Sequence, residues 1–241
     1  MPNKAKVLFF DIESSNLAAN FGYMLAFGWK WQHENHPKVV SISQFPRFRK
    51  DCTDDLEVVK TAYRLIESAD VIVAHYGQRF DVPFINTRLL YHKLPFLPNV
   101  PLIDTWRISR DKLRLNSNRL GSVANLLLGK SEKTQLSGPE WIRAAAGHEP
   151  SIKYVADHCK HDVLELEKVY NKIKGLCGTH PNVSLVANAG GEQCPICGSR
   201  SLQKRGIRIA KARKFQRLHC QSCGHWGSGV AISLDNPVEV R

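Results

Sequence analysis

Residues 6–14, KVLFFDIES, form an apolar strand that ends in two carboxylates, Asp11 and Glu13. The aromatic and branched run calls for burial, and residues two apart on a strand point to the same face. Two carboxylates side by side repel, so one stays protonated unless a cation neutralises the pair. A fold that accepts this stretch either lets the strand reach solvent or opens its central strand onto a cation site. The pair alone does not choose between these.

The segments around it narrow the architecture. YMLAFGWKWQ (23–32) and KVVSISQF (38–45), with HENHP as the turn between them, extend the first strand into an antiparallel meander. DVIVAHYG (70–77) is nearly all apolar, as a strand covered by helices on both faces must be. Apolar residues at helical spacing mark helices over 54–69, 82–93 and 118–129, the last closed by Gly129. A longer helix spans 151–174, with Ile152, Val155, Val163, Leu166, Tyr170 and Ile173 in one stripe, and stops at Gly175. PLIDTW (101–106) reads as a brief extended piece. The order predicts an α/β domain over residues 1–178: a mixed five-stranded sheet with flanking helices. Residues 179–191 lack periodicity and end in Gly-Gly, which reads as a linker to a small domain at 192–241.

Further acids fall where this scheme brings elements together. Asp81 opens the helix after the apolar strand, where an Asp serves either as a cap or as a ligand. His158 and Asp162 are four apart on the long helix and share a face. Asp162 adjoins the inward stripe, a costly place for an unpaired carboxylate. Asp157, Glu165 and Glu167 read as solvated acids of the same helix. Asp104 is either a further carboxylate near the site or a cap for the helix that follows it.

FFDIES, AHYGQRFDVPF and HCKHDV, in that order, resemble the three motifs of the DEDD superfamily of 3′–5′ exonucleases, which have a ribonuclease H-like fold. LIDTWRISR and RLGSVANLLLG are similar to the segments between the second and third motifs, so the resemblance spans about residues 5–175. It implies phosphodiester hydrolysis assisted by two Mg²⁺ or Mn²⁺ ions, with Asp11 bridging, Glu13 and Asp162 as further ligands, and Asp81 on the second ion. His158 would take the proton from the attacking water. Two positions depart from the pattern. Tyr76 stands where the second motif often has Asn. His158 lies four residues before Asp162, the position given to Tyr in one branch, whereas the His branch places its His five before.

The remaining signal lies near the C-terminus. CPICG (194–198) and CQSCG (220–224) are two Cys-x-x-Cys-Gly knuckles, and Cys194, Cys197, Cys220 and Cys223 have the spacing of a zinc ribbon holding one structural Zn²⁺. Between them run Lys204, Arg205, Arg208, Lys211, Arg213, Lys214 and Arg217, alternating with Ile207, Ile209 and Phe215 as hairpin strands with cations on an exposed face would. The last 56 residues hold 9 Lys and Arg against 3 Asp and Glu, half of the net charge of +12. Unbalanced cations favour a polyanion, and phosphate contacts position a strand without reading its sequence. Phe215 and Trp226 either stack on unpaired bases or cover the small core.

No run of about 18 apolar residues exists, so no membrane span is expected. The first residues lack the long apolar core of a secretory signal, which predicts a cytoplasmic protein or a viral one in its host's cytoplasm. These readings converge on a metal-dependent 3′–5′ exonuclease acting on nucleic acid, with single strands or 3′ ends favoured and DNA weakly over RNA. A ribonuclease H-like endonuclease or resolvase uses similar acids. A non-catalytic nucleic-acid-binding adaptor would keep the fold and dock a polymerase or transcription complex through the ribbon, and a protein–protein module would meet an acidic partner with its basic face.

Overall fold

The computed structural model describes residues 4–131, 137–187, 191–210 and 213–232. Two compact units divide the chain, one of Lys6–Tyr170 and one of Asn171–Arg241 with the first five residues. In the larger unit, β1 (Val7–Ser14), β2 (Met24–Trp31), β3 (Lys38–Ser41), β4 (Val71–Ala74) and β5 (Leu102–Asp104) form one sheet in the order β3-β2-β1-β4-β5. β1 pairs antiparallel with β2 and parallel with β4, and β4 pairs parallel with β5. This is the mixed five-stranded sheet with flanking helices that the alternation of strand and helix signals predicts. β3 is shorter than its apolar run, because the chain turns at Ile42 into a 3-10 helix that buries Ile42.

The helices are α1 (Leu56–Glu67), α2 (Asp81–Tyr91), α3 (Thr105–Lys112), α4 (Leu120–Leu128), α5 (Gly138–Ala145) and α6 (Glu149–Ile173). Gly129 ends α4 with φ 79, a left-handed residue after the helix that glycine adopts without steric cost. α3 and α5 are short, eight residues each, and side chains set their starts: Asp104 accepts from the backbone of Trp106 and Arg107, and Ser137 accepts from Glu140.

The period of two along β1 sorts its residues between the layers. Leu8, Phe10 and Ile12 join a core with Val58, Val59 and Ala62 of α1 and Phe84, Ile85 and Leu89 of α2. Phe9 faces the other way and meets Tyr170 of α6 edge to face at 5.3 Å. Asp11 and Glu13 share the parity of Phe9, so β1 aims them toward α6.

One polar device ties α1, α2 and β2 together. Asp55, fully buried, accepts from Nε and Nη2 of Arg88 at 2.8 Å each, from His92 Nε2 at 2.6 Å and from the Met24 N–H at 2.8 Å. Burial alone would raise this carboxyl, but the bonds from His92 and Arg88 and the Arg88 charge outweigh it and hold it below the usual range.

The smaller unit has its own antiparallel sheet, β6 (Leu202–Ala210), β7 (Arg213–Cys220) and β8 (Trp226–Ile232). Its core is Cys194, Ile196 and Cys220, with Leu202 and the other two cysteines packed on it. Residues 183–187 form a 3-10 turn, and the Val183 N–H donates to Pro195 O at 2.9 Å. Among the described residues, no helix is long and apolar enough to cross a membrane.

Candidate functional site

Glu13, His158 and Asp162 are all buried, and one ligand-capable atom from each lies within 4.8 Å of the others. His158 Nε2 is 3.9 Å from Glu13 Oε1 and 3.7 Å from Asp162 Oδ2. Strand parity and the four-residue helical spacing both had to hold for these groups to meet. The site opens at the carboxyl ends of the parallel strands β1, β4 and β5, where open α/β sheets form their crevices.

Asp11 is half-buried on the same strand face. Cys159 is completely buried beside it, and its Sγ reaches Asp11 O at 3.4 Å. Burial, then the charges of Asp11, Glu13 and Asp162, push the Cys159 thiol well above its ordinary value. A thiol that feels all three charges marks them as one electrostatic cluster.

Asp81 enters from the other side. β4 pairs with β1 only as far as Phe9, so the N–H of Ile12 has no strand partner there. Asp81 Oδ1 accepts it at 3.3 Å. Burial raises the Asp81 carboxyl to about 7, with the nearby Asp104 charge acting in the same direction. The protein therefore holds Asp81 as a buried carboxyl reluctant to ionise, bonded to the β1 backbone between Asp11 and Glu13 in sequence.

Close approach of α6 to the sheet depends on Gly28, which pairs with Asp11 across β1 and β2. A Cβ there would lie 2.8 Å from Cys159 Sγ and 3.2 Å from both Cys159 O and Val163 Cγ2. The helix is further anchored by Lys30 of β2, whose Nζ lies 2.7 Å from Glu167 Oε2 with both side chains largely buried. Glu165 is buried as well and accepts from Ser131 Oγ. The expectation that Glu165 and Glu167 are solvated is thus corrected: a loop and a strand remote in sequence supply their partners. Asp157, paired with Lys153 and half-exposed, matches that expectation.

Asp104 works as the cap. Its carboxylate accepts from the backbone of Tyr76, Gln78, Trp106 and Arg107, which fixes the loop before α2 and the start of α3. His75 is held by Thr105 Oγ1 at 2.9 Å and Asn118 O at 2.8 Å. Tyr76 has φ 71, the left-handed region that Asn enters far more readily than an aromatic residue. Its ring packs edge-on against Trp106 at 4.8 Å. After Glu13 the chain turns through bonds from the Ala18 N–H to Asn16 Oδ1 and from the Gly22 N–H to Ala18 O. That turn leaves Leu17 82% and Phe21 81% exposed. Sequence reasoning passed over both, although two apolar side chains in a polar loop directly after the acid pair were the available signal.

In the smaller unit, Cys194, Cys197, Cys220 and Cys223 bring their sulfurs within 4.8 Å of one another. The two knuckles are built alike: Gly198 N–H returns to Cys194 O, and Gly224 N–H to Cys220 O, with φ of 70 and 73 at the glycines. Against burial, which raises it, the backbone N–H groups of Cys223 and Ser222 bring the Cys220 thiol down to about 7. Four converging sulfurs in this arrangement fit a zinc ribbon.

Lys204, Arg205, Arg208, Arg213, Lys214 and Arg217 are exposed on β6 and β7, while Lys211 lies outside the described residues. Ile207 and Ile209 are exposed too, so the hairpin shows solvent both its faces rather than one cationic face. Trp226 stacks on His219 at 4.4 Å with Arg217 over its ring at 5.4 Å. Phe215 is half-buried.

The RNase_H_2 profile of the RNase_H superfamily matches residues 8–174. The DNA polymerase III PolC-type of Ureaplasma parvum serovar 3 is 33% identical over 138 residues, 50% of this chain and 10% of that protein. The chain thus spans about a tenth of the length of this curated relative. The family B DNA polymerase of the archaeon Pyrobaculum calidifontis shares the fold, with a TM-score of 0.54 and 17% identity over 79% of this chain and 28% of that one.

Proposed function

Because the chain belongs to the RNase_H superfamily over residues 8–174, we propose that its larger unit is a metal-dependent 3′–5′ exonuclease. The observation that carries this reading is the convergence of buried Glu13, His158 and Asp162, with Asp11 and Asp81 on either side of the same stretch of β1. An all-carboxylate donor set of Asp11, Glu13, Asp81 and Asp162 fits hard divalent cations such as Mg²⁺ or Mn²⁺. Asp11 would bridge two such ions, with Glu13 and Asp162 as further ligands and Asp81 on the second. Such ions would supply Lewis-acid polarisation of a phosphoryl group and offset developing negative charge there.

The protein's own groups supply the rest. His158 Nε2, facing Glu13 and Asp162, takes the proton of the attacking water, and those carboxylates stabilise the imidazolium. Leu17 and Phe21 offer apolar surface on which unpaired bases at a strand end stack. DNA is the favoured substrate, since the curated relative is a DNA polymerase. Residues 192–241 act as a ribbon held by one structural Zn²⁺. Its cations grip the backbone without sequence preference.

A 5′-labelled single strand incubated with Mg²⁺ or Mn²⁺ tests the reading. A ladder shortening from the 3′ end is expected. Cleavage of a circular strand would replace the reading with an endonuclease, and binding without any cleavage would replace it with an adaptor.

A further inference from the structure

Between the loop leading into α2 and helix α3 lies a cavity of about 470 Å³ that takes no part in the chemistry above. Arg79, Arg107 and Arg110 line it, with Gln78, Asp104 and Asp111 as its other polar side chains. Three guanidiniums share one concave surface with two carboxylates, so the lining keeps a net positive charge. Asp104 is occupied by four backbone N–H groups. Asp111 sits at the exposed rim, 3.6 Å from Arg107. Arg107 is oriented by Gln78 Oε1 at 3.1 Å, and Arg110 lies over the Trp106 ring at 5.1 Å.

The loop that brings Gln78 and Arg79 to the cavity is strained at Tyr76. Tyr76 keeps its φ of 71 because its N–H donates to Asp104 Oδ1 at 2.9 Å and its ring meets Trp106. Backbone held in such a region clusters at ligand clamps. Here the strain leaves the Tyr76 ring 37% exposed and edge-on against Trp106, a residue that lines the cavity. Planar guanidiniums match phosphate oxygens in paired hydrogen bonds, and an aromatic face carries a base. A lining this polar suits an anion far better than an apolar ligand.

We propose that this cavity binds a phosphodiester of the substrate strand away from the bond being cut, with Arg79, Arg107 and Arg110 on the phosphate and Tyr76 under the adjoining base. The proposal rests on the nuclease reading, since the loop that shapes the cavity runs straight into Asp81. It makes residues 76–80 a shared element that places the strand and a site carboxylate together.

The test uses the full chain, Ca²⁺ in place of Mg²⁺ to prevent cleavage, and a fluorescent single strand of about twelve nucleotides at about 50–200 mM salt. R107A/R110A should bind at least about threefold more weakly, with a log Kd against log salt slope shallower by about 1.4, two contacts at about 0.7 each. R107K/R110K, which keeps the charges, should recover most of that slope. If R107A/R110A loses its melting transition, R110A alone should show one contact's share. Unchanged affinity and slope in folded R107A/R110A would overturn the proposal, and so would weaker binding with an unchanged slope. An arginine-dependent slope in a protein that cuts nothing would sink the nuclease reading and leave the cavity's role standing.

Discussion

The two candidate metal sites among the described residues are built by opposite strategies. The acid site draws on β1, α2 and α6, whose residues are some 150 positions apart, and a large core brings them together. The cysteine site needs only two knuckles, at 194–198 and 220–224, and its core is little more than the cysteines themselves. The first is a site that a fold makes. The second is a fold that a site makes, since so small a core supplies little stability without a staple. The contrast predicts that losing metal destroys one unit and merely silences the other.

The largest effect should come from that direct comparison. Stripping zinc with a strong chelator, or changing Cys220 to Ser, should remove roughly 10 kcal/mol of metal-linked folding energy from the smaller unit. Amide exchange should then show lost protection across β6–β8 and retained protection across β1–β5. Simultaneous loss in both units would break the distinction.

The next probes ask what holds the acid site's scaffold. Arg88→Ala leaves Asp55 charged and buried without its main partner, and should cost about 3–5 kcal/mol in chemical unfolding. The same carboxyl sets an acid limit. Its folded pKa lies below the unfolded value, so its contribution is complete above about pH 4 and is lost as pH falls through the folded pKa. Asp55→Asn should start less stable and show a flatter stability profile below about pH 4. An unchanged profile would remove Asp55 from the account.

Gly28→Ala tests the approach of α6 to β1. The added Cβ meets Cys159 and Val163, which should cost about 1–3 kcal/mol. A shift of the helix by about 1 Å should also lower cleavage up to about a hundredfold. Wild-type stability and rate would show that the helix does not need that glycine. The smallest effect is at Gly129→Ala, where a Cβ in the left-handed region should cost about 1 kcal/mol with cleavage unchanged.

Much of this was legible in the chain, because it rests on local rules. Strand parity put Asp11 and Glu13 on one face, helical spacing put His158 and Asp162 on another, and Cys-x-x-Cys-Gly encoded the knuckles. What stayed hidden depends on what is brought from afar. Nothing near Gly28 says that a helix over a hundred residues away will press on it. Glu165 and Glu167 look like solvated acids until Ser131 and Lys30 arrive. The cavity between α3 and the Tyr76 loop exists only once two elements about thirty residues apart pack together, so it had no signature in sequence. Asp104 was readable both ways, and four backbone donors make it a cap.

The central claim is that the buried acids of β1 and α6 form one hydrolytic site. Measuring Mn²⁺-dependent cleavage of a labelled strand by Asp11→Ala and Asp162→Ala, beside melting temperature and zinc content, tests it most directly. The account predicts a loss of about a thousandfold or more in each variant, with the fold and the zinc retained. Full activity in both would contradict it.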